Sequence, residues 1–456
     1  MGNLSILNWQ WILLLAFGIL FFILAPFSKT KKEFFAAKTS KGNQPGYFIL
    51  TASLLISWIF AKSITNAANL GLKFGIVGGI TYSVYYLSFI VAGIIIYKLR
   101  TKGGFTSIHH FLKTRFGKAA IRLFSLLIGI RLFNEVWSNT MVIGSYFGEH
   151  GSQNYYLAIL AFTAITLAYV IKGGLRSSLL TDAIQMLFFG LLLFMLLSII
   201  LPSGKENMID YLNSGTWSMS TGLNLLFAAG IQIFSYPFHD PVLTDRAFIS
   251  KPKITLKSFI SASFIGVVFM TLFSLIGVYA QFQGLQGQGA VEVSKLFGTI
   301  VMLAMNFIMI TSAASTLDSS FSSFSKLTVM DMGKSKNQSL KKGRWMMVLI
   351  AIAGTLPVFA NPEILSATTV SGTMVIGLAP IFIFWNIKVP KSSFFLPVFF
   401  GIFMGILLAS DNIPDWWKLS DGPYADLLWV NVWGSLICLL LFFIPYWIKR
   451  GKRKNN

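Results

Sequence analysis

Charge is what this 456-residue chain has least of: Asp, Glu, Lys and Arg make up 12% of it, against 55% hydrophobic residues. A soluble domain carries about 25% charged residues, so a water-solvated globule is excluded and an integral membrane protein is implied. The single cysteine, Cys438, lies inside an apolar run and rules out an internal disulfide. His109 and His110 fall in a basic segment, far along the chain from His150 and His239, and no HExxH-type spacing is present, so no transition-metal site is expected. A GxSxG sequence is also absent, and the glycine-rich stretch Gly71–Gly79 reads as a turn between helices rather than a phosphate cradle. Nothing here assembles a catalytic constellation, and no organic cofactor is called for.

What is present is a succession of apolar windows, each of the roughly 17–25 residues that cross a bilayer as a helix. About thirteen can be placed, near 9–27, 45–70, 74–98, 119–148, 155–171, 178–201, 219–240, 255–281, 296–325, 345–360, 364–387, 394–410 and 427–448. The first is followed by a basic stretch and no small-residue cleavage site, which predicts a retained helix rather than a signal peptide. Net charge is +21, but 31 of the 37 Lys and Arg sit in alternate loops: 28–43, 98–122, 172–176, 246–257, 326–345, 386–392 and the tail 449–455. The positive-inside rule then puts the N-terminus outside and the C-terminus in the cytoplasm, as an odd number of spans requires. Basic loops facing anionic lipid account for the charge without a nucleic-acid partner.

Polar groups inside the spans come next, because hydrocarbon offers them no partners. They are Lys62, Asn66, Arg131, Asn134, Glu135, Asn139, Asp182, Gln185, Gln232 and Asp318. The run from Met302 to Asp331 turns dense in hydroxyls around Asp318 for about three turns, which predicts a helix facing a cavity or an ion. Arg131 and Glu135, spaced i,i+4, could neutralise each other on one helix face. Asp182 and Asp318 have no such neighbour and need cations, either Lys62 or bound metal ions.

Five segments together resemble the solute:sodium symporter family. EFFAAKTSKGNQPGYFILTASLLISWIFAKS is similar to the loop leading into its first core helix, GFTSIHHFLKTRFG to the amphipathic segment before the third, and KGGLRSSLLTDAIQ to the GGL…TD.IQ start of the fifth. DPVLTDR, with Asp240 and Arg246 six apart, resembles the end of the sixth, and STLDSSFSSFSKLTVMD matches the eighth-helix signature over 17 positions without a gap. The resemblance implies an all-α polytopic membrane protein with a five-plus-five inverted-repeat, LeuT-like core. Its parts would be one transmembrane transporter domain, 1–456: an extra helix and basic loop at 1–43, the core at 44–392 and peripheral helices at 393–456. Such cores bind solute where the first helix of each repeat is interrupted. The break candidates are Ile56–Ser63, which carries Lys62, and Phe234–Asp240, which contains Pro237.

Carried over residue by residue, the resemblance implies a sodium site with hydroxyls from Ser315 and Thr316 and main-chain oxygens from Ile56, Ile59 and Ser312. Asp182, Asp318 and Ser319, with Ser315 shared, fall on a second cation site found in part of the family. Na⁺ is a hard cation that takes oxygen ligands of this kind. Trp58, Phe60, Ser63 and Tyr236 would complete a solute pocket around Lys62. For Lys62 three readings stay open: a counter-ion for an anionic solute, a tethered ammonium in place of an ion, or a structural pair with Asp182 or Asp318. The function expected is import of a small, carboxylate-bearing solute with Na⁺ by alternating access across the cell inner membrane. The alternatives are a Na⁺-independent or proton-driven carrier, or a solute sensor; sensors of this kind append a cytoplasmic kinase domain, which is not expected after KRGKRKNN. Partners are solute, Na⁺ and lipid, and the sequence does not give the oligomeric state.

Overall fold

The computed structural model describes residues 5–37, 44–332 and 338–454. Parts of the basic stretches 28–43 and 326–345, the start of the first expected segment and the last two residues of the tail lie outside these. The described residues form helices and no strand. We label the main ones α1 (Ile6–Leu24), α2 (Tyr47–Ile56), α3 (Ala61–Phe74), α4 (Ile76–Thr101), α5 (Lys118–Phe147) and α6 (Gln153–Gly173). They continue with α7 (Leu175–Ile200), α8 (Leu223–Gln232), α9 (Pro252–Phe282) and α10 (Thr299–Lys326). The last are α11 (Leu340–Thr355), α12 (Ser366–Met374), α13 (Ser392–Ala409) and α14 (Ala425–Lys454).

Among the described residues nine helices are long and apolar enough to span a membrane, and α2 with α3 make one more span, bent by 59°. The window 119–148 is a continuous 30-residue helix, α5, that keeps Arg131 and Glu135 inside it. Besides 45–70, two further windows are interrupted. In 219–240, α8 ends at Gln232 and a short 3₁₀ turn, Tyr236–His239, follows with Pro237 near its start. In 364–387, α12 ends at Met374 and helix resumes at Leu378–Ile383. Proline has no amide hydrogen to continue the ladder, which explains the first break.

By internal contacts the chain divides into two compact units. The first comprises Met1–Ser83, Leu132–Thr216 and Ile265–Ile364. Helix α10 is central to it: its apolar window is 83% buried against 28% for α1, and it packs on α7, α11, α6, α1 and α3. Helices α3 and α9 approach through small residues. A Cβ added to Gly277 would lie 1.8 Å from the carbonyl oxygen of Ala68, so only glycine allows this spacing.

The segment after α1 clasps the α6–α7 turn of the same unit. Ser28 donates through its amide to Lys172 O at 3.0 Å and through Oγ to Gly173 O at 2.8 Å. Thr30 and Glu33 form a reciprocal cap on the helix Lys31–Ala36. Glu33 also takes Arg176 at 3.2 Å, and the amides of Lys29 and Thr30 hold its carboxyl below the usual range. Phe34 and Phe35 are buried beneath it, and Gly174, at φ 58, lies against the Phe34 carbonyl.

The second unit comprises Val84–Arg131, Trp217–Phe264 and Leu365–Asn456. Here α14 packs on α13, α8 and α12, and Cys438 sits in a core with Ile376, Met404 and Val430.

Candidate functional site

The first unit holds every expected cation ligand. Between α2 and α3 the helical ladder fails over four residues: Trp58 N and Ile59 N both turn to Leu55 O, and Ser63 N and Ile64 N both reach Phe60 O. Lys62 N donates to Asn139 Oδ1 at 3.3 Å instead of to a helical carbonyl. The helix between Ile56 and Ala61 is thus interrupted where the resemblance places the main-chain oxygens of Ile56 and Ile59. Ser312 of α10 meets this break, donating to Ile59 O at 2.6 Å, and Thr316 donates to Ser312 O at 3.0 Å. Ile56, Ile59, Ser312, Ser315 and Thr316 are all buried.

One step along the same seam lie the two acids. Asp182 on α7 accepts from Ser315 at 2.5 Å through Oδ1 and from Ser53 at 2.5 Å through Oδ2. Asp318 on α10 accepts from Tyr169 at 2.8 Å and Thr181 at 3.0 Å through Oδ2, and from Ser319 at 3.3 Å through Oδ1. Ser319 also shares a 3.0 Å hydrogen bond with Ser178. Ser315 of α10 meets Asp182 and Thr181 of α7 meets Asp318, so the two acids share one stretch of the α7–α10 contact. The hydroxyl oxygens that donate to the acids keep lone pairs, so the same atoms can ligate a cation lodged among them.

Sequence reasoning named Asp182, Asp318, Ser315 and Ser319 but missed Ser53, Ser178, Thr181 and Tyr169. Ser178 and Thr181 were detectable, since they precede Asp182 at helical spacing. Tyr169 lies on α6 in an otherwise apolar stretch, and nothing in the sequence marks it.

Lys62 is buried and bonded to Glu135 of α5, Nζ to Oε1 2.7 Å, with 0% and 3% of the two side chains exposed. Asn139 completes the group by donating to Glu135 Oε2 at 3.0 Å, and the ammonium lies 4.9 Å from the Phe60 ring centroid. The structural-pair reading of Lys62 thus gains a partner the sequence analysis had not assigned to it. The local Arg131–Glu135 account was incomplete for the same reason: Arg131 pairs with Asp240 at 3.2 Å. Nearby, Ser63 accepts from Tyr82 at 3.1 Å, and Trp58 and Phe60 are in ring contact at 6.2 Å.

Tyr236 belongs to the second unit. Its ring lies 5.0 Å from the Arg131 guanidinium and 5.9 Å from the Tyr85 ring, and its carbonyl is 2.6 Å from His239 Nδ1. Asp240, besides holding Arg131, caps the helix Pro241–Arg246 through the amides of Val242 and Leu243. The spacing within DPVLTDR therefore has a structural cause: the acid starts the helix and Arg246 closes it onto Val242 O at 3.2 Å.

Residues 41–384 match the model of the sodium:solute symporter family. Sodium/myo-inositol cotransporter 2 of Bos taurus is 28% identical over 224 residues, covering 46% of this chain and 33% of that protein. Sodium/glucose cotransporter 1 of Mus musculus is 28% identical over 163 residues, covering 32% of this chain and 24% of that one. The matches thus span about a third or less of the length of these curated relatives. A solved Na⁺-coupled sialic acid symporter, substrate-bound and outward-open, superposes with TM-score 0.70 at 16% identity over 95% of this chain and 97% of that one. MhsT in complex with L-phenylalanine superposes with TM-score 0.56 at 15% identity over 92% of this chain and 99% of that one. The fold is that of LeuT-like transporters, and the matching relatives are transporters rather than enzymes.

Proposed function

The chain belongs to the sodium:solute symporter family, and we propose that it imports a small polar solute together with Na⁺ by alternating access. The observation that carries the reading is the meeting of Ser312 with the broken α2–α3 helix at Ile59 O, one turn along α10 from Thr316 and close to Ser315, which holds Asp182. One Na⁺ binds Ser315 and Thr316 through their hydroxyls and Ile56, Ile59 and Ser312 through main-chain oxygen. A second binds Asp182, Asp318 and Ser319. The basic loops face the cytoplasm, so the N-terminus is outside and uptake is inward. One charge crossing 100 mV supplies about 2.3 kcal/mol, roughly 50-fold accumulation.

The solute reaches Ser63, Trp58, Phe60 and the Lys62–Glu135 pair of the first unit; Tyr236 of the second unit is a separate proposed solute contact. An anionic solute, the expectation from a lone lysine, would compete with Glu135 for the ammonium, and opening a buried pair costs about 3–5 kcal/mol. The 2.7 Å bridge therefore favours a polar solute of no net charge, to which the pair offers both donor and acceptor. The inositol and glucose named for the relatives are of that class.

Solute uptake by proteoliposomes at varied Na⁺ tests the ion assignment. Ser315→Ala and Thr316→Ala should each raise the half-saturating Na⁺ concentration in folded protein, and an unchanged Na⁺ dependence in the double variant would defeat it.

A further inference from the structure

The second unit carries a buried amide junction at the end of α8. Gln232 is the last residue of that helix, immediately before the chain breaks toward Tyr236. Its Oε1 accepts from the Tyr85 hydroxyl at 2.9 Å. Its Nε2 donates to Thr373 Oγ1 at 3.2 Å, to Asn431 Oδ1 at 3.2 Å and to Thr369 O at 3.3 Å. Asn431, on α14, also donates to Thr373 Oγ1 at 2.9 Å and to Leu427 O at 2.7 Å. Gln232, Thr373 and Asn431 are completely buried. Gly372 makes the close approach possible, because a Cβ there would stand 2.4 Å from Gln232 Oε1.

Chemistry makes this junction directional. Two amide hydrogens serve three acceptors, so the amide plane is fixed by α12 and α14 jointly, and the single acceptor left over points at Tyr85. In an apolar surround each lost partner leaves a polar group unsatisfied, so the arrangement is all-or-none rather than graded. Tyr85 in turn packs on Tyr236 at 5.9 Å. The last helix, which the sequence reading treats as peripheral, thus reaches the bend of the broken helix through one side chain.

We propose that Asn431 and Thr373 are positioning residues for transport: they orient Gln232, and through Tyr85 they set the Tyr236 ring that meets the solute. The proposal rests on the transporter reading for the role of Tyr236, but the junction itself is testable without it. Thr373→Val keeps shape and removes the hydroxyl, whereas Thr373→Ser restores it; Asn431→Leu removes the amide. In proteoliposomes, Thr373→Val and Asn431→Leu should raise the solute KM about 3- to 30-fold, leave the half-saturating Na⁺ concentration unchanged, and be rescued in Thr373→Ser. In detergent-purified protein without solute or Na⁺, amide hydrogen exchange over 231–240 should accelerate in Thr373→Val and not in Thr373→Ser. A lowered melting temperature with unchanged KM means ordinary packing and overturns the proposal, as does unchanged exchange. If wild-type protein shows no Na⁺-dependent uptake while the exchange result holds, the transporter reading fails and the junction stands.

Discussion

The Lys62–Glu135 bridge allows a worked double-variant cycle. Both side chains are buried, the contact is 2.7 Å, and Asn139 bonds Glu135 through the second carboxylate oxygen and Lys62 through its amide. Removing one member leaves an uncompensated buried charge and should cost about 3–5 kcal/mol. Lys62→Met falls at the low end, since Glu135 still accepts from Asn139. Glu135→Met falls at the high end, because it takes the 2.7 Å carboxylate away from a buried ammonium. Lys62→Met/Glu135→Met replaces the pair with apolar volume and should lie between neutral and about 4 kcal/mol more stable. Unfolding of the purified proteins in detergent would give a coupling of at least about 6 kcal/mol; additive single effects would refute the coupling. Solute affinity in the same double variant separates the solute classes. A neutral solute loses ordinary hydrogen bonds, about 0.5–1.5 kcal/mol or up to roughly 10-fold, whereas a carboxylate loses about 1.5–3 kcal/mol, roughly 10- to 150-fold.

Asp182→Asn should lower the charge moved per solute or abolish uptake, read as current against isotope flux; unchanged stoichiometry at full activity would remove the second cation site. Tyr169→Phe takes one donor from Asp318 and should shift the Na⁺ dependence about 5- to 100-fold while sparing solute KM at saturating Na⁺, a change in solute KM alone being the adverse outcome. Gly277→Ala drives a Cβ into the Ala68 carbonyl and should destabilise by about 1–3 kcal/mol, seen as a lower melting temperature. Because the Glu33 carboxyl is held below its usual range, the clasp it closes is complete above that range and is lost as pH falls below it, through the lowered value of the folded protein. Limited proteolysis at 25–37 should therefore accelerate in acid, and Glu33→Gln should flatten that dependence.

The helical class and the first break were legible because lipid forbids unpaired backbone and Lys62 marked the place where the rule was suspended. Of the proposed ion ligands, Ser315, Thr316, Asp318 and Ser319 come from one 17-residue ungapped stretch that resembles the family signature. Partnerships between helices were not. The i,i+4 spacing of Arg131 and Glu135 gives a shared face, but their partners Asp240 and Lys62 lie 109 and 73 residues away along the chain, and no local pattern encodes that distance. Ser53 and Tyr169 were missed for a related reason: a lone hydroxyl in an apolar helix looks like packing until the carboxylate it serves is placed beside it.

The clasp between Ser28 and Gly173 spans 145 residues of chain. At a synthesis rate of about 5–20 residues per second, the first helix waits roughly 7–29 seconds in the bilayer before its docking turn emerges. During that interval Phe34 and Phe35 have none of their α6–α7 contacts, and the flanking Lys29, Lys31 and Lys32 are free to hold the segment on anionic headgroups. Assembly of this end of the molecule is therefore a late event imposed on an early segment, and its order of closure is set by the ribosome rather than by contact strength.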